Sequence, residues 1–254
     1  MSLADKVCLV TGAATGIGEA IAERLATEGA TVCLADIDGE KAATVAERIG
    51  GHAWTADVSQ SADVRRFVDE SAARFGRIDA IVNNAGIAVG GTVAETSEED
   101  WQRVLATNLN GVWLGMKYAL PQLRRTRGCI VNMASVQALV GLPGWAAYAA
   151  TKGAIISLTQ QAAVEYGPEG IRVNCLAPGT IMTPMNEQIF AHASDPDALI
   201  ESWNSSHALG RFGQPGEVAA AAAFLVSDDA SFITGTCLRV DGGLAILGPT
   251  GRAD

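Results

Sequence analysis

Seven short runs rich in β-branched residues, KVCLVT, ATVCLAD, HAWTAD, IDAIVNN, CIVNMAS, IRVNCLA and TCLRVDGG, recur along the chain with longer segments of helical period between them. Strands that alternate with helices lie parallel in their sheet, so this rhythm predicts an α/β fold. The expected form is a doubly wound (Rossmann) parallel sheet of seven strands with helices on both faces. No Pro/Ser-rich linker, repeat or low-complexity segment interrupts the alternation, and residues 1–254 are expected to form one domain. A chain of 254 residues that is 48% hydrophobic can bury the core this needs. One segment falls out of step. Residues 183–212, TPMNEQIFAHASDPDALIESWNSSHALGRF, are inserted between the sixth strand and the next helix, at the carboxyl edge of the sheet, where they are expected to act as a lid over a ligand.

Charge and composition remove several classes of partner. The formal net charge is −10 and the 18 Lys and Arg residues are scattered, so there is no basic stripe for nucleic acid. The N-terminal MSLADKVCLVTG enters a strand pattern without a basic region and apolar core, and the longest apolar run, VAAAAAFLV, is bounded by Glu217 and Asp228. A soluble, cytoplasmic protein with no membrane contact is expected. The five cysteines, at 8, 33, 129, 175 and 237, are odd in number and mostly inside apolar runs, which reads as buried free thiols. His192 and His207 fall in the insertion without Cys, Asp or Glu at ligand spacing. They read as surface or hinge residues, with no metal expected.

The first chemical signal is VTGAATGIGEAIAERLA, residues 10–26, in which a strand ends at Gly12, turns, and opens a helix through Gly16 and Gly18. Glycines let the backbone approach a pyrophosphate, and the helix N-terminus offers free N–H groups and a positive dipole end. The same turn could begin a helix that binds nothing. Asp36 closes the next strand eighteen residues after Gly18, where a carboxylate can accept from an adenosine ribose; it could instead cap the following helix. The second signal is AYAATKGA, residues 147–154. Tyr148 and Lys152 stand at i and i+4, so on a helix both project from one stripe, and an ammonium there favours the phenolate of a group that otherwise ionises near pH ~10. Alone, the pair could equally be an exposed Tyr and Lys on an amphipathic helix.

With the spacing Thr-Gly-x-x-x-Gly-Ile-Gly, NNAG at 83–86, NLNG at 108–111, Ser135, and Tyr148-x-x-x-Lys152, the chain resembles the short-chain dehydrogenase/reductase family over nearly its whole length. Ser135 precedes Tyr148 by thirteen residues, and APGTIMTP at 177–184 and VDGG at 240–243 also look like family segments. The resemblance implies that Tyr148 is the acid/base and that Ser135 hydrogen-bonds the substrate oxygen. It implies that Lys152 binds the nicotinamide ribose, and that Asn108 holds a water linking Lys152 to solvent. For the dinucleotide it implies contacts from Gly12, Thr15, Gly16, Ile17, Gly18, Asp36, Ile37, Asp57, Val58, Asn84, Ala85 and Gly86. Pro178, Gly179, Ile181 and Thr183 would surround the nicotinamide amide. Ser135 as a turn residue, Asn108 as a helix cap, and NNAG as a brace between strands remain structural alternatives.

For substrate, Ser135, Val136, Gln137, Trp145, Tyr148, Met185, Ile189 and Trp203 are candidate pocket residues, and the Gln137 amide leans toward a molecule carrying hydroxyl groups. The expected activity is NAD-dependent interconversion of a secondary alcohol and its ketone: a sugar, polyol or alicyclic alcohol. A carrier-linked 3-oxoacyl reductase using NADPH ranks second, since Glu187, Asp195, Asp197 and Glu201 make the insertion acidic where an acidic carrier would need a basic surface. A non-catalytic NAD sensor ranks last. Asp36, with Thr15 and Ile37 at places that would hold a cation for NADP, points to NAD. A helix over 148–164 with Ala149, Ala150, Gly153, Ile156 and Ala163 left over after one face packs reads as an interface, and the resemblance implies a homotetramer built from this helix and the one within WQRVLATNLNGVWLGMKYAL.

Overall fold

A computed structural model describes residues 2–248. The seven runs form strands β1 (Val7–Thr11), β2 (Thr31–Asp36), β3 (His52–Thr55), β4 (Ala80–Asn83), β5 (Cys129–Met133), β6 (Arg172–Pro178) and β7 (Cys237–Val240). All pair in parallel, in the order β3-β2-β1-β4-β5-β6-β7. Several predicted runs overshoot at their carboxyl ends. Asn84, Ala134 and Asp241 leave the ladder because the chain there turns into the loops that carry the site.

Between the strands lie helices α1 (Gly16–Thr27), α2 (Gly39–Ile49), α3 (Ser61–Phe75), α4 (Glu98–Val104), α5 (Gly111–Thr126), α6 (Ala146–Tyr166), α7 (Pro184–Ala191), α8 (Pro196–Ser205) and α9 (Pro215–Val226). Successive strand residues point to opposite faces. Cys8 and Val10 of β1 join Ile21 and Leu25 of α1 and Val218 and Ala222 of α9 in one apolar layer. Val7 and Leu9 join Phe67 of α3, Leu123 of α5 and Ile155 of α6 in the other. The chain winds outward from β1 to β3, then crosses back to lay β4 on the other side of β1. Loops after β1 and β4 therefore diverge and open a crevice at the carboxyl edge.

The insertion is a clipped loop with a core of its own. At its base Ile181 and Gly213 form a parallel bridge, the Met182 N–H donates to the Gly213 carbonyl (2.9 Å), and the Gly213 N–H donates to the Thr180 carbonyl (2.9 Å). Thr183 and Asp195 cap α7 and α8, each followed by a proline at the first helical position. Inside, Phe190 packs against Trp203 (5.3 Å between rings) and stacks on Phe212 (5.4 Å).

Two expectations change here. His207 is no surface residue: it is 3% exposed, with its ring buried between two loops. His192 is exposed, its Nδ1 against the Gln188 carbonyl. On α6, Ala149, Ala150, Gly153 and Ile156 keep some exposure, but Ala163 is buried within its own chain because it faces the sheet, and Val164 is the outward residue at 77%. The five cysteines are free; four are buried and Cys237 is half-buried. Among the described residues no helix is long and apolar enough to cross a membrane, and no cluster of His, Cys, Asp or Glu is placed to hold a metal.

Candidate active site

The crevice between β1 and β4 holds an elongated cavity of 560 Å³. Its floor is backbone. Gly12 (φ +64°) and Gly16 (φ +61°) turn the chain into α1 with no side chain in the way, and a Cβ on Gly12 would come within 2.7 Å of the Ala85 backbone. Thr15 precedes α1 without a capping side-chain bond, so the first N–H groups of the helix are left open toward the cavity. Gly18 plays a different part from the one expected. It lies beneath the turn rather than on the cavity wall, and a Cβ there would sit 2.0 Å from the Gly12 carbonyl oxygen. Its absent side chain is what lets helix and strand close together.

At one end the cavity is bounded by Asp36, Ile37, Asp57 and Val58. Asp36 does not cap α2, a task that falls to Asp38. Its carboxylate accepts from the Ala14 N–H and the Asp38 N–H, both at 2.9 Å, which fixes it at the rim of the turn. Ile37 beside it is 72% exposed. Asn84, Ala85 and Gly86 form a side wall. The brace expected of NNAG is also present: Asn84 Nδ2 donates to the Thr11 and Gly12 carbonyls (3.1 and 3.0 Å), and Asn83 Nδ2 donates to Asn132 Oδ1 (2.9 Å). Cavity shape, bare glycine backbone, open helix N-terminus and rim carboxylate together fit a dinucleotide.

At the other end are Tyr148 and Lys152. Both project inward from the first turns of α6, the ammonium 5.2 Å from the phenol ring centroid. Lys152 is 3% exposed and donates to the Met133 carbonyl (2.8 Å); burial pushes its ammonium down to about 8. Burial pushes the Tyr148 phenol up, and the Ser135 hydroxyl beside it lowers it in part. In the protein alone, desolvation therefore outweighs the hydroxyl's effect. Ser135 follows β5, and its Oγ caps a short 3₁₀ turn by accepting the Gln137 N–H (3.2 Å), as the turn alternative expects.

Asn108 is fully buried in a π-helical stretch, Leu105–Asn110, that joins α4 to α5. The wider turn aims its side chain inward, and it is not a cap. Oδ1 accepts from the Ile87 N–H (2.8 Å), while Nδ2 donates to the Ile87 carbonyl (2.9 Å) and to Thr151 Oγ1 (3.4 Å). Its side chain thus braces the wall behind Gly86, whose absent Cβ would face Asn108 Oδ1 at 3.3 Å and Lys152 Nζ at 3.6 Å.

A second cavity of 370 Å³ opens under the insertion. All the sequence-predicted pocket residues line it: Ser135, Val136, Gln137, Trp145, Tyr148, Met185, Ile189 and Trp203. Pro178, Gly179 and Ile181 wall this smaller cavity, whereas Thr183 borders both. The cavities meet at Ile17, Met133, Tyr148, Thr183 and Met185. Gln137, on the smaller cavity alone, has its Oε1 buried without a hydrogen-bond partner. Sequence reasoning missed Asn186 and Ser206, although each stands three residues from Ile189 or Trp203 and so shares its helix face, and it missed Ser202, which no such spacing marks. It also missed Arg103 and Thr107 on the larger cavity and Leu142 and Leu244 on the smaller; no local pattern marks these.

A family profile described as enoyl-(acyl carrier protein) reductase matches residues 12–245. The chain is 44% identical over 246 residues to meso-2,3-butanediol dehydrogenase of Serratia marcescens, covering 96% of each. Ligand-free aldohexose dehydrogenase of Thermoplasma acidophilum superposes with a TM-score of 0.91 at 39% identity, covering 99% of this chain and 98% of that one. The 3-ketoacyl-(acyl-carrier-protein) reductase of Brucella melitensis, solved with NADH, superposes at 0.90 and 37% identity, covering 96% of this chain and 100% of that one.

Proposed function

The chain belongs to the short-chain dehydrogenase/reductase family, and from that premise we propose that it is an NAD-dependent oxidoreductase interconverting a secondary alcohol and its ketone. One observation carries the reading: Tyr148 stands where the cofactor-shaped cavity and the smaller cavity join, with Lys152 on one side and Ser135 on the other. When bound, the nicotinamide takes or returns a hydride at that junction and, oxidised, adds a positive charge. Tyr148 then removes the alcohol proton during oxidation and returns it during reduction. Lys152 lowers the phenol and holds the nicotinamide ribose, Ser135 holds the substrate oxygen, and Asn108 connects Lys152 to a water. The N–H groups opening α1 take the phosphates, and Asp36 takes the adenosine ribose.

The smaller cavity supports a reading of the substrate class. Its walls are largely apolar, but Gln137, Asn186 and Ser202 also line it, which suits an alcohol bearing a second hydroxyl. The butanediol and aldohexose relatives act on molecules of that kind by name. A carrier-linked reductase remains the second reading because the Brucella melitensis relative resembles the chain throughout. That relative holds NADH, so cofactor choice alone does not separate the two; the acidic insertion argues against an acidic carrier. We take the chain as one dinucleotide-binding domain, with 183–212 as the substrate cover, working as a homotetramer in the cytoplasm.

The test is a panel of diols, sugars, alicyclic alcohols and 3-hydroxyacyl thioesters with NAD and NADP, followed by absorbance of the reduced cofactor. Oxidation of a hydroxylated alcohol with NAD is expected, and Tyr148→Phe should cut turnover by about 10²-fold or more while NAD affinity holds. Activity confined to acyl thioesters, or a Tyr148→Phe variant as fast as wild type, overturns the reading.

A further inference from the structure

We infer that His207 is a positioning residue: one imidazole ties the wall of the alcohol cavity to the loop beside the nicotinamide end of the cofactor cavity. This rests on the function proposed above. His207 lies just beyond α8, buried at 3% exposure. Its Nε2 accepts the Thr180 N–H at 3.1 Å, so that nitrogen carries no proton and Nδ1 carries it. Nδ1 in turn donates to the Trp203 carbonyl at 2.8 Å. Thr180 directly follows Pro178 and Gly179, and Trp203 contributes its ring to the cavity. Thr180 lines that cavity as well, but its segment runs on to Thr183 and Pro184 on the cofactor cavity, so the imidazole joins a segment that reaches both cavities to one that lines the smaller cavity alone.

The surroundings are shaped for a ring in this one orientation. Phe212 meets it edge-on, with 6.3 Å between centroids. Gly179 and Gly242 leave it space, since a Cβ on Gly179 would come to 3.0 Å from Nε2 and one on Gly242 to 3.5 Å from Cδ2. The charged groups that share its small rear cavity are mostly engaged elsewhere. Arg211 is held by Glu217 (2.7 and 2.9 Å), Asp241 accepts from the Gly243 and Ala245 N–H groups, and Arg239 is exposed. Of the imidazole's two main-chain partners, the Thr180 N–H would be left without an acceptor in its absence, whereas the Trp203 carbonyl also accepts from Ser206 Oγ (2.7 Å).

The two arms can be cut separately, because asparagine places an N–H donor near the position of Nδ1 and glutamine an acceptor near that of Nε2. His207→Asn keeps the Trp203 arm and loses the Thr180 arm. It should weaken NADH binding about tenfold while the alcohol KM at saturating NAD stays within about twofold. His207→Gln should do the reverse, and His207→Phe should lose both. A purely structural histidine would instead lower the melting temperature and shift both affinities together in every variant. Equal shifts in Asn and Gln, or no shift in either, overturn the inference. Hydrogen exchange of the wild-type Thr180 amide tests it without any substitution: protection is expected, and exchange at the rate of an open loop overturns it. If NADH binds but no alcohol is turned over, the proposed activity fails, while the NADH and amide measurements still judge His207.

Discussion

A lysine with its ammonium in a dry wall has a measurable signature. The Lys152 pKa is pushed down to about 8 by burial, against ~10.4 in an unfolded chain. Below about pH 8 the fold carries a charged buried ammonium at full cost; between about 8 and ~10.4 the unfolded chain holds a proton the folded one has lost, so this group makes stability rise with pH across that window. Lys152→Met should therefore be more stable than wild type near pH ~7, by up to roughly 3 kcal/mol, with the advantage shrinking toward pH ~10. Urea titrations at the two values check this, and an advantage independent of pH would contradict it. Asp36 makes a separate claim. Its carboxylate, pinned by Ala14 and Asp38, would face a doubly charged 2′-phosphate with no cation at Thr15 or Ile37 to offset it. Repulsion of roughly 2–4 kcal/mol corresponds to about 30- to 1000-fold preference for NAD. Asp36→Ala with Ile37→Arg should move the ratio of kcat/KM values toward NADP by about tenfold or more; equal efficiency of the wild type with both cofactors would remove Asp36 from the ribose.

The turn from β1 into α1 depends on what is missing from it. Gly18→Ala would drive a methyl to 2.0 Å from the Gly12 carbonyl and 2.5 Å from Asn84 Nδ2, and the clash with backbone cannot be relieved by a rotamer. Helix and strand must separate, at a cost of about 1–3 kcal/mol. Because the Gly12 and Asn84 groups brace the phosphate turn, the variant should also bind NADH more weakly. Calorimetric melting together with NADH titration checks both, and an unchanged melting temperature would mean the turn is looser than it looks. The insertion illustrates how far local signals reach. Thr-Pro and Asp-Pro stand at the starts of α7 and α8, a signal that the reading of the segment as a plain insertion passed over. The π-helical stretch at Asn108 has no such announcement, since LATNLN reads as ordinary helix and only packing against Ile87 and Thr151 accounts for its wider turn.

Across the molecule, apolar side chains remain uncovered in places that suit partner chains. Val164 on α6 is 77% exposed and Trp113 on α5 is 47% exposed. A hollow between α4 and α6 is lined by Val93, Trp101, Ala146 and Ala150. Phe232, near the edge strand β7, is fully exposed. Surfaces of this kind favour symmetric association. Light scattering at micromolar protein should give the mass of four chains, and Val164→Arg should lower it; a single-chain mass for the wild type would rule the tetramer out.

Much of this protein is written in neighbouring residues. The period-2 and helical runs select a parallel doubly wound sheet because each element must bury one face or stripe. Glycine spacing and the i, i+4 pair of Tyr148 and Lys152 follow from backbone geometry alone, so the bare turn into α1 and the shared face of the two side chains were legible before any contact was known. What the folded chain alone decided are meetings between distant segments. Tyr148 stands at the junction of two cavities whose walls come from stretches as far apart as Gly12 and Leu244. Asp36 turns its oxygens to Ala14 and Asp38 rather than to a helix end. His207, bland in the sequence, finds Thr180 twenty-seven residues away. Such pairings are chosen by which buried donors and acceptors still lack partners once the sheet has closed, and that is known only when every other group has taken its place.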